Sequence, residues 1–118
     1  MEINEKQLKE IIAKIVVETL RRNDDFVKES DESGILKIKT STVRCEPFNG
    51  AQGVYLKDIV TLDEAPRMGA GIMELDHTSF EWTLTYDEYD YVIDGELEIE
   101  IDGRVVSGKP GDIIYIPK

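Results

Sequence analysis

The chain has 118 residues, 41% of them hydrophobic, enough for one domain with a modest core. Its net charge of −11 excludes DNA, RNA and anionic membranes as partners, because those surfaces are met with Lys and Arg. A single cysteine, Cys45, excludes a disulfide framework or a thiolate zinc site and indicates a reducing, intracellular setting; no apolar run approaches the ~20 residues of a membrane span, and the N-terminus lacks a signal-peptide layout.

Residues 4–22, "NEKQLKEIIAKIVVETLRR", predict an amphipathic helix within an N-terminal segment 1–22. Leu8, Ile11, Ile12, Ile15 and Val16 recur with helical spacing, and Thr19 and Leu20 extend the stripe. Asn4 and Gln7 are spaced as a capping box, with acids near the first turn and Arg21 and Arg22 near the last. Residues 23–34, "NDDFVKESDESG", are polar and acidic and predict a mobile linker.

From residue 35 to 118 the pattern is β throughout. "ILKIKTSTVRC", "VYLKDIVTL", "GAGIMEL", "FEWTLTY", "EYDYVI", "ELEIEI", "RVVSG" and "DIIYI" are successive strand candidates. Asp94-Gly95 and Asp102-Gly103 each predict a two-residue hairpin turn, which needs φ > 0 at both positions. In "ELEIEI", Leu97, Ile99 and Ile101 face one way and Glu96, Glu98 and Glu100 the other, so those glutamates form a solvated face. Many short strands with Gly-rich turns indicate a sandwich or barrel.

Residues 80–103 hold nine acids and no Lys or Arg. The three outward glutamates and the two turn aspartates account for five of them. Glu81, Asp87, Glu88 and Asp90 remain to be explained.

Glu88-x6-Gly95 followed by Gly111-x5-Pro117 resembles the skeleton of the two cupin motifs. The resemblance implies an all-β fold, a cupin (RmlC-like) jelly-roll barrel over 35–118 preceded by an N-terminal α-helix. The two histidines that precede the glutamate in the usual first motif are missing. Depending on the gap, their positions hold Trp82 and Leu84, or Glu81 and Thr83; the only histidine, His77, lies outside either register. The usual metal site therefore lacks its nitrogen ligands.

A narrower match exists. "FEWTLTYDEYDYVIDGEL" and "GDIIYIPK" resemble the EutQ family of ethanolamine utilization proteins, His-poor cupins of bacterial ethanolamine operons. The likeness is strongest over 70–118. It implies further strands beyond Lys118, a homodimer built through the barrel, and a place in the cytoplasm in or at a bacterial microcompartment. It also implies acetate kinase activity, in which acetyl phosphate and ADP give acetate and ATP. Two other readings stay open: a non-catalytic scaffold or assembly factor, and a metal-free small-molecule cupin using Glu88 and Tyr86 for proton transfer.

The matched position turns Glu88 inward, and strand alternation then turns Asp90 and Val92 the same way. Two inward carboxylates two residues apart repel, which raises the pKa of one. Glu88, Asp90 and Tyr86 are the catalytic candidates. Trp82, Tyr115 and Lys118 are the substrate-binding candidates, with Arg104 a further cation. Trp82 and Leu84 are expected to fill the barrel, and Tyr115 fits a core position as well as a ligand-facing one. The cofactors implied are ADP or ATP with Mg²⁺ held through Glu88 and Asp90. The helix over 4–22 resembles peptides that target enzymes to compartment shells, which makes a shell protein or an enzyme its partner. "GRVVSGK" at 103–109 imitates a phosphate loop, but Pro110 follows where Ser or Thr is required, so that reading is rejected. Cys45 reads as a small hydrophobe and His77 as a surface residue.

Overall fold

The computed structural model describes residues 4–12 and 26–118. Residues 5–12 are helical. The capping box forms in full: the Gln7 amide donates to Asn4 Oδ1 at 2.8 Å, and the Asn4 amide donates to Gln7 Oε1 at 3.1 Å. Leu8, Ile11 and Ile12 on the stripe are exposed. The rest of the predicted helix, 13–22, lies outside the described residues.

The described strands are β1 Lys28–Ser30, β2 Leu36–Ile38, β3 Glu46–Pro47, β4 Val54–Val60, β5 Ala70–Leu75, β6 Glu88–Tyr91, β7 Leu97–Ile101, β8 Arg104–Gly108 and β9 Ile113–Ile116. They pair antiparallel as β1–β2, β3–β4–β5, β6–β9 and β7–β8. The expectation of an all-β fold with one N-terminal helix agrees with this. Hydrogen bonding among the described residues joins these ladders into separate small sheets, with no closed barrel. No helix among them is long and apolar enough to cross a membrane. The chain divides into two compact units, Met1–Ser79 and Phe80–Lys118.

In the first unit the expected linker is largely structured. Its first residues, 23–25, are outside the described set. From residue 26 onward it holds buried Phe26, at 5% exposure, and strand β1. The reason is local. Phe26 and Val27 supply an apolar anchor, and Asp31 and Gly34 close a turn in which the Gly34 amide donates to the Asp31 carbonyl. The Ser33 side chain and amide hold the Asp31 carboxyl below its ordinary value. Lys28 Nζ reaches Glu64 Oε1 at 2.6 Å and lies 5.4 Å from the centre of the Phe26 ring. Acidic composition outweighed two apolar residues in the sequence reading.

"ILKIKTSTVRC" is likewise not one strand. After β2 a 3₁₀ turn at Thr40–Thr42 breaks it, with the Thr42 hydroxyl bonded to the Lys39 carbonyl. Thr and Ser compete with the ladder in this way. Val54, fully buried, opens β4 and anchors this unit.

In the second unit, "FEWTLTY" makes no ladder; residues 80–87 run as bends and coil into β6. The Asp102-Gly103 turn is the expected one. Both residues have positive φ, 49° and 76°, and Ile101 pairs with Arg104 across it. At Asp94-Gly95 only Gly95 does, at 72°, and the Asp94 carboxylate accepts the Gly95 amide. A two-residue turn of that type needs both. The chain therefore leaves β6 without folding back on it. β7 and β8 form their own hairpin, and β9 returns to pair with β6.

Candidate functional site

β6 and β9 position the site. Their register sets Glu88 opposite Ile116, Tyr89 opposite Tyr115, Asp90 opposite Ile114 and Tyr91 opposite Ile113. Period-two alternation divides these residues into two faces. Glu88, Asp90, Ile114 and Ile116 are half-buried, and Val92, just beyond β6, is buried. The common facing of Glu88, Asp90 and Val92 agrees with the sequence expectation. Gly108 at the end of β8 packs closely here. A Cβ on it would lie 3.1 Å from Ile114 Cδ1 and 3.2 Å from Val92 Cγ2.

The two carboxyls interact. A hydrogen bond with Asp90, then burial, then the Asp90 charge push Glu88 from its ordinary 4.5 up to about 7. A carboxyl–carboxylate hydrogen bond requires one proton, so protonated Glu88 donates to Asp90. The pair can thus hold a proton or, once ionised, present two hard oxygen donors. Among the described residues no three His, Cys, Asp or Glu converge on a metal-sized position. Two carboxylates suit a Mg²⁺ ion that completes its shell with water and substrate phosphates, which is how that ion is often bound.

The raised acid has a stability consequence. Folding favours the protonated form, so the contribution is complete below pH 4.5 and is lost as pH rises through about 7. Glu88→Gln keeps a donor toward Asp90 and cannot ionise. With solvent screening allowed for, it is expected to be more stable than the parent by about 1–2 kcal/mol at pH 8 and nearly equal at pH 5. Thermal melts at the two pH values check this; identical pH dependence in both proteins would contradict it.

The other candidates are placed differently. Tyr86 stands exposed in the bend before β6. Trp82 was expected to fill a barrel but is 54% exposed, edge-on to Phe80 with centroids 6.3 Å apart. Residues 80–87 form no ladder, so strand alternation does not set the direction of its side chain. Leu84 is half-buried. Tyr115 lies on the outer face, not in a core, with its ring 5.1 Å from Tyr89. Burial, then the neighbouring Asp87 carboxylate, push its phenol up. Lys118 meets the acidic segment through its backbone: its amide donates to Asp87 Oδ1 at 3.0 Å. Arg104 is exposed and lies 3.9 Å from Asp102.

Asp87 and Tyr89 were missed as positioning residues. The signal available was the odd-numbered run Asp87, Tyr89, Tyr91, which alternation sends to the face opposite Glu88. In the first unit, Cys45 Sγ sits 3.4 Å from the Ile72 carbonyl. Burial and Glu74 push its thiol up, which makes it a poor nucleophile. His77 is exposed, with Nδ1 2.6 Å from Asp76 Oδ1.

The family described as "Ethanolamine utilisation protein EutQ" matches residues 3–118. The chain is 53% identical over 100 residues to the protein named acetate kinase EutQ of Clostridioides difficile, covering 80% of this chain and 64% of that one. It is 37% identical over 119 residues to acetate kinase EutQ of Salmonella typhimurium, covering 99% of this chain and 51% of that one. The chain thus spans between half and two thirds of the length of these relatives. The solved structure of the Clostridium difficile EutQ protein superposes with a TM-score of 0.72 at 51% identity, over 80% of this chain and 73% of that one.

Proposed function

Because the chain belongs to the ethanolamine utilisation protein EutQ family, we propose that it takes part in ethanolamine utilisation as an acetate kinase, forming ATP from acetyl phosphate and ADP at the Glu88–Asp90 face. The observation that carries the placement is the pair of carboxyls, Glu88 and Asp90, half-buried on one face of the strand that bears the family-like segment. In the transfer, a terminal oxygen of ADP attacks the phosphorus of acetyl phosphate. The phosphorus–oxygen bond to the acetyl group breaks, and acetate leaves with the electron pair.

The chain's acidic surface repels these phosphates, so charge must be supplied. Mg²⁺ arriving with the nucleotide neutralises it when bound, and Glu88 and Asp90 would hold that ion. To do so Glu88 must release the proton it shares with Asp90. Lys118 follows Ile114 and Ile116 in strand parity, and the Asp87 tether fixes its backbone. In this reading its ammonium is the partner of a phosphate oxygen. Tyr86 and Trp82 are exposed side chains of the same unit and serve as secondary substrate contacts; Tyr115, on the face opposite Glu88 and Asp90, is not among them. The reading includes a cupin-type barrel, a homodimer and a cytoplasmic place at the microcompartment.

A second role has its own observation. Leu8, Ile11 and Ile12 leave an apolar stripe exposed on a well-capped helix. An assembly contact with a shell protein or an enzyme would cover it. A deletion that tests this should end before Phe26, which belongs to the folded unit.

The kinase reading is tested by ATP formation from acetyl phosphate and ADP with the full chain, with and without Mg²⁺. Turnover that requires Mg²⁺ and follows the protein through purification supports it. Folded protein with no turnover above a blank overturns it.

A further inference from the structure

The β6–β9 ladder leaves an apolar face in the open. Glu88 and Asp90 share the half-buried face with Ile114 and Ile116, while Tyr89, Tyr91, Ile113 and Tyr115 occupy the other, 76%, 63%, 62% and 49% exposed. Register places Tyr89 beside Tyr115 and Tyr91 beside Ile113, so the four form one continuous patch. An antiparallel sheet with one wet face ordinarily puts polar residues there. A contiguous apolar patch marks a surface that something else covers.

Charge selects the occupant. Residues 80–118 hold ten acids against three basic residues. A second copy of the same face would bring the same sign of charge against it. Asp87 stands at the edge of the patch, beside Tyr115. Phenol rings attract cations over their faces, and long basic side chains lay apolar stems on aliphatic surface. We propose that this outer face docks a basic, Arg- or Lys-rich segment of a partner protein, with its cations over the tyrosine rings and its stems along Ile113. The docking is separate from the carboxyl pair, which lies on the opposite face of the ladder.

The experiment uses the full chain and a fluorescent peptide of alternating Arg and Leu, with an alternating Glu and Leu peptide as control, followed by anisotropy. The Arg peptide should bind saturably and the Glu peptide should not. Tyr89→Ala and Tyr91→Ala should each weaken binding about tenfold, as removal of an anchoring aromatic does. Tyr89→Phe keeps the ring and should stay within about twofold of the parent. The double variant Glu98→Gln, Glu100→Gln removes charge on another strand and should change affinity less than either alanine variant. No binding of the Arg peptide overturns the proposal. So does a loss that follows Glu98 and Glu100 while the tyrosine variants bind normally, since that is charge without a face. A dimer that Tyr89→Ala converts to monomer in sedimentation also overturns it, because the face then belongs to a second copy.

Discussion

Glu88→Gln and Asp90→Asn are each expected to lower ATP formation by about a hundredfold or more, the scale of losing a group that acts on the reacting centre. Both substitutions keep the side-chain volume and remove the charge. Each leaves a single carboxylate on the half-buried face of β6, where the parent places two. One carboxylate supplies half of the charge required to hold a divalent ion there. The loss should appear with Mg²⁺ present at saturation, and it should fall on turnover in both variants. Circular dichroism would show the fold intact, since Glu88→Gln is expected to stabilise the protein above pH 7. A variant that is more stable and less active is the signature of a residue kept for chemistry at a cost to the fold. The parent's activity should also climb as pH rises through about 7, where Glu88 gives up the shared proton. Turnover unchanged in both variants would place the chemistry elsewhere in the protein.

Gly53→Ala is expected to destabilise the first unit by about 3 kcal/mol, lowering Tm by roughly 15 °C. Two costs combine. Gly53 has φ of 79°, a left-handed conformation that an L side chain resists. A Cβ there would also lie 2.7 Å from the Asp76 carbonyl oxygen and 3.1 Å from Thr78 Cβ. The backbone oxygen cannot move freely, because the Asp76 amide is bonded to the Gly53 carbonyl at 2.8 Å. Relief of the clash would pull the turn at 76–78 from the start of β4, beside fully buried Val54. Gly50→Ala is the matched control. Gly50 also has positive φ, 66°, but has open space around its Cβ position. It should cost only about 1 kcal/mol. Equal losses at the two glycines would mean that the Asp76 contact contributes nothing.

Much of the candidate site was legible because it is local. The coupling of Glu88 to Asp90 needs only their spacing and a strand, since residues two apart share a face whatever the strand pairs with. The same holds for the Asn4–Gln7 capping box and for the Asp102-Gly103 hairpin. Each is decided within a few residues by backbone geometry. The outward tyrosines were legible by the same parity and were passed over, because an aromatic in a strand reads first as core.

What the sequence determined by itself was therefore which residues share a face and where the tightest turns fall. The tertiary structure decided the partner of each strand. Alternation says nothing about which strand lies alongside; the Asp94-Gly95 dipeptide pointed to a β6–β7 hairpin, while the hydrogen bonds of β6 go to β9. The deciding detail is the backbone at Asp94, which does not enter the left-handed region that a two-residue turn demands. The acidic stretch before residue 35 was settled the same way. Its composition suggests a linker, but burying Phe26 and pairing β1 with β2 hold it in the fold. The β1–β2 hairpin is itself local; the contact that ties it to the rest of the unit, Lys28 to Glu64, joins residues 36 apart, and no local pattern reports it.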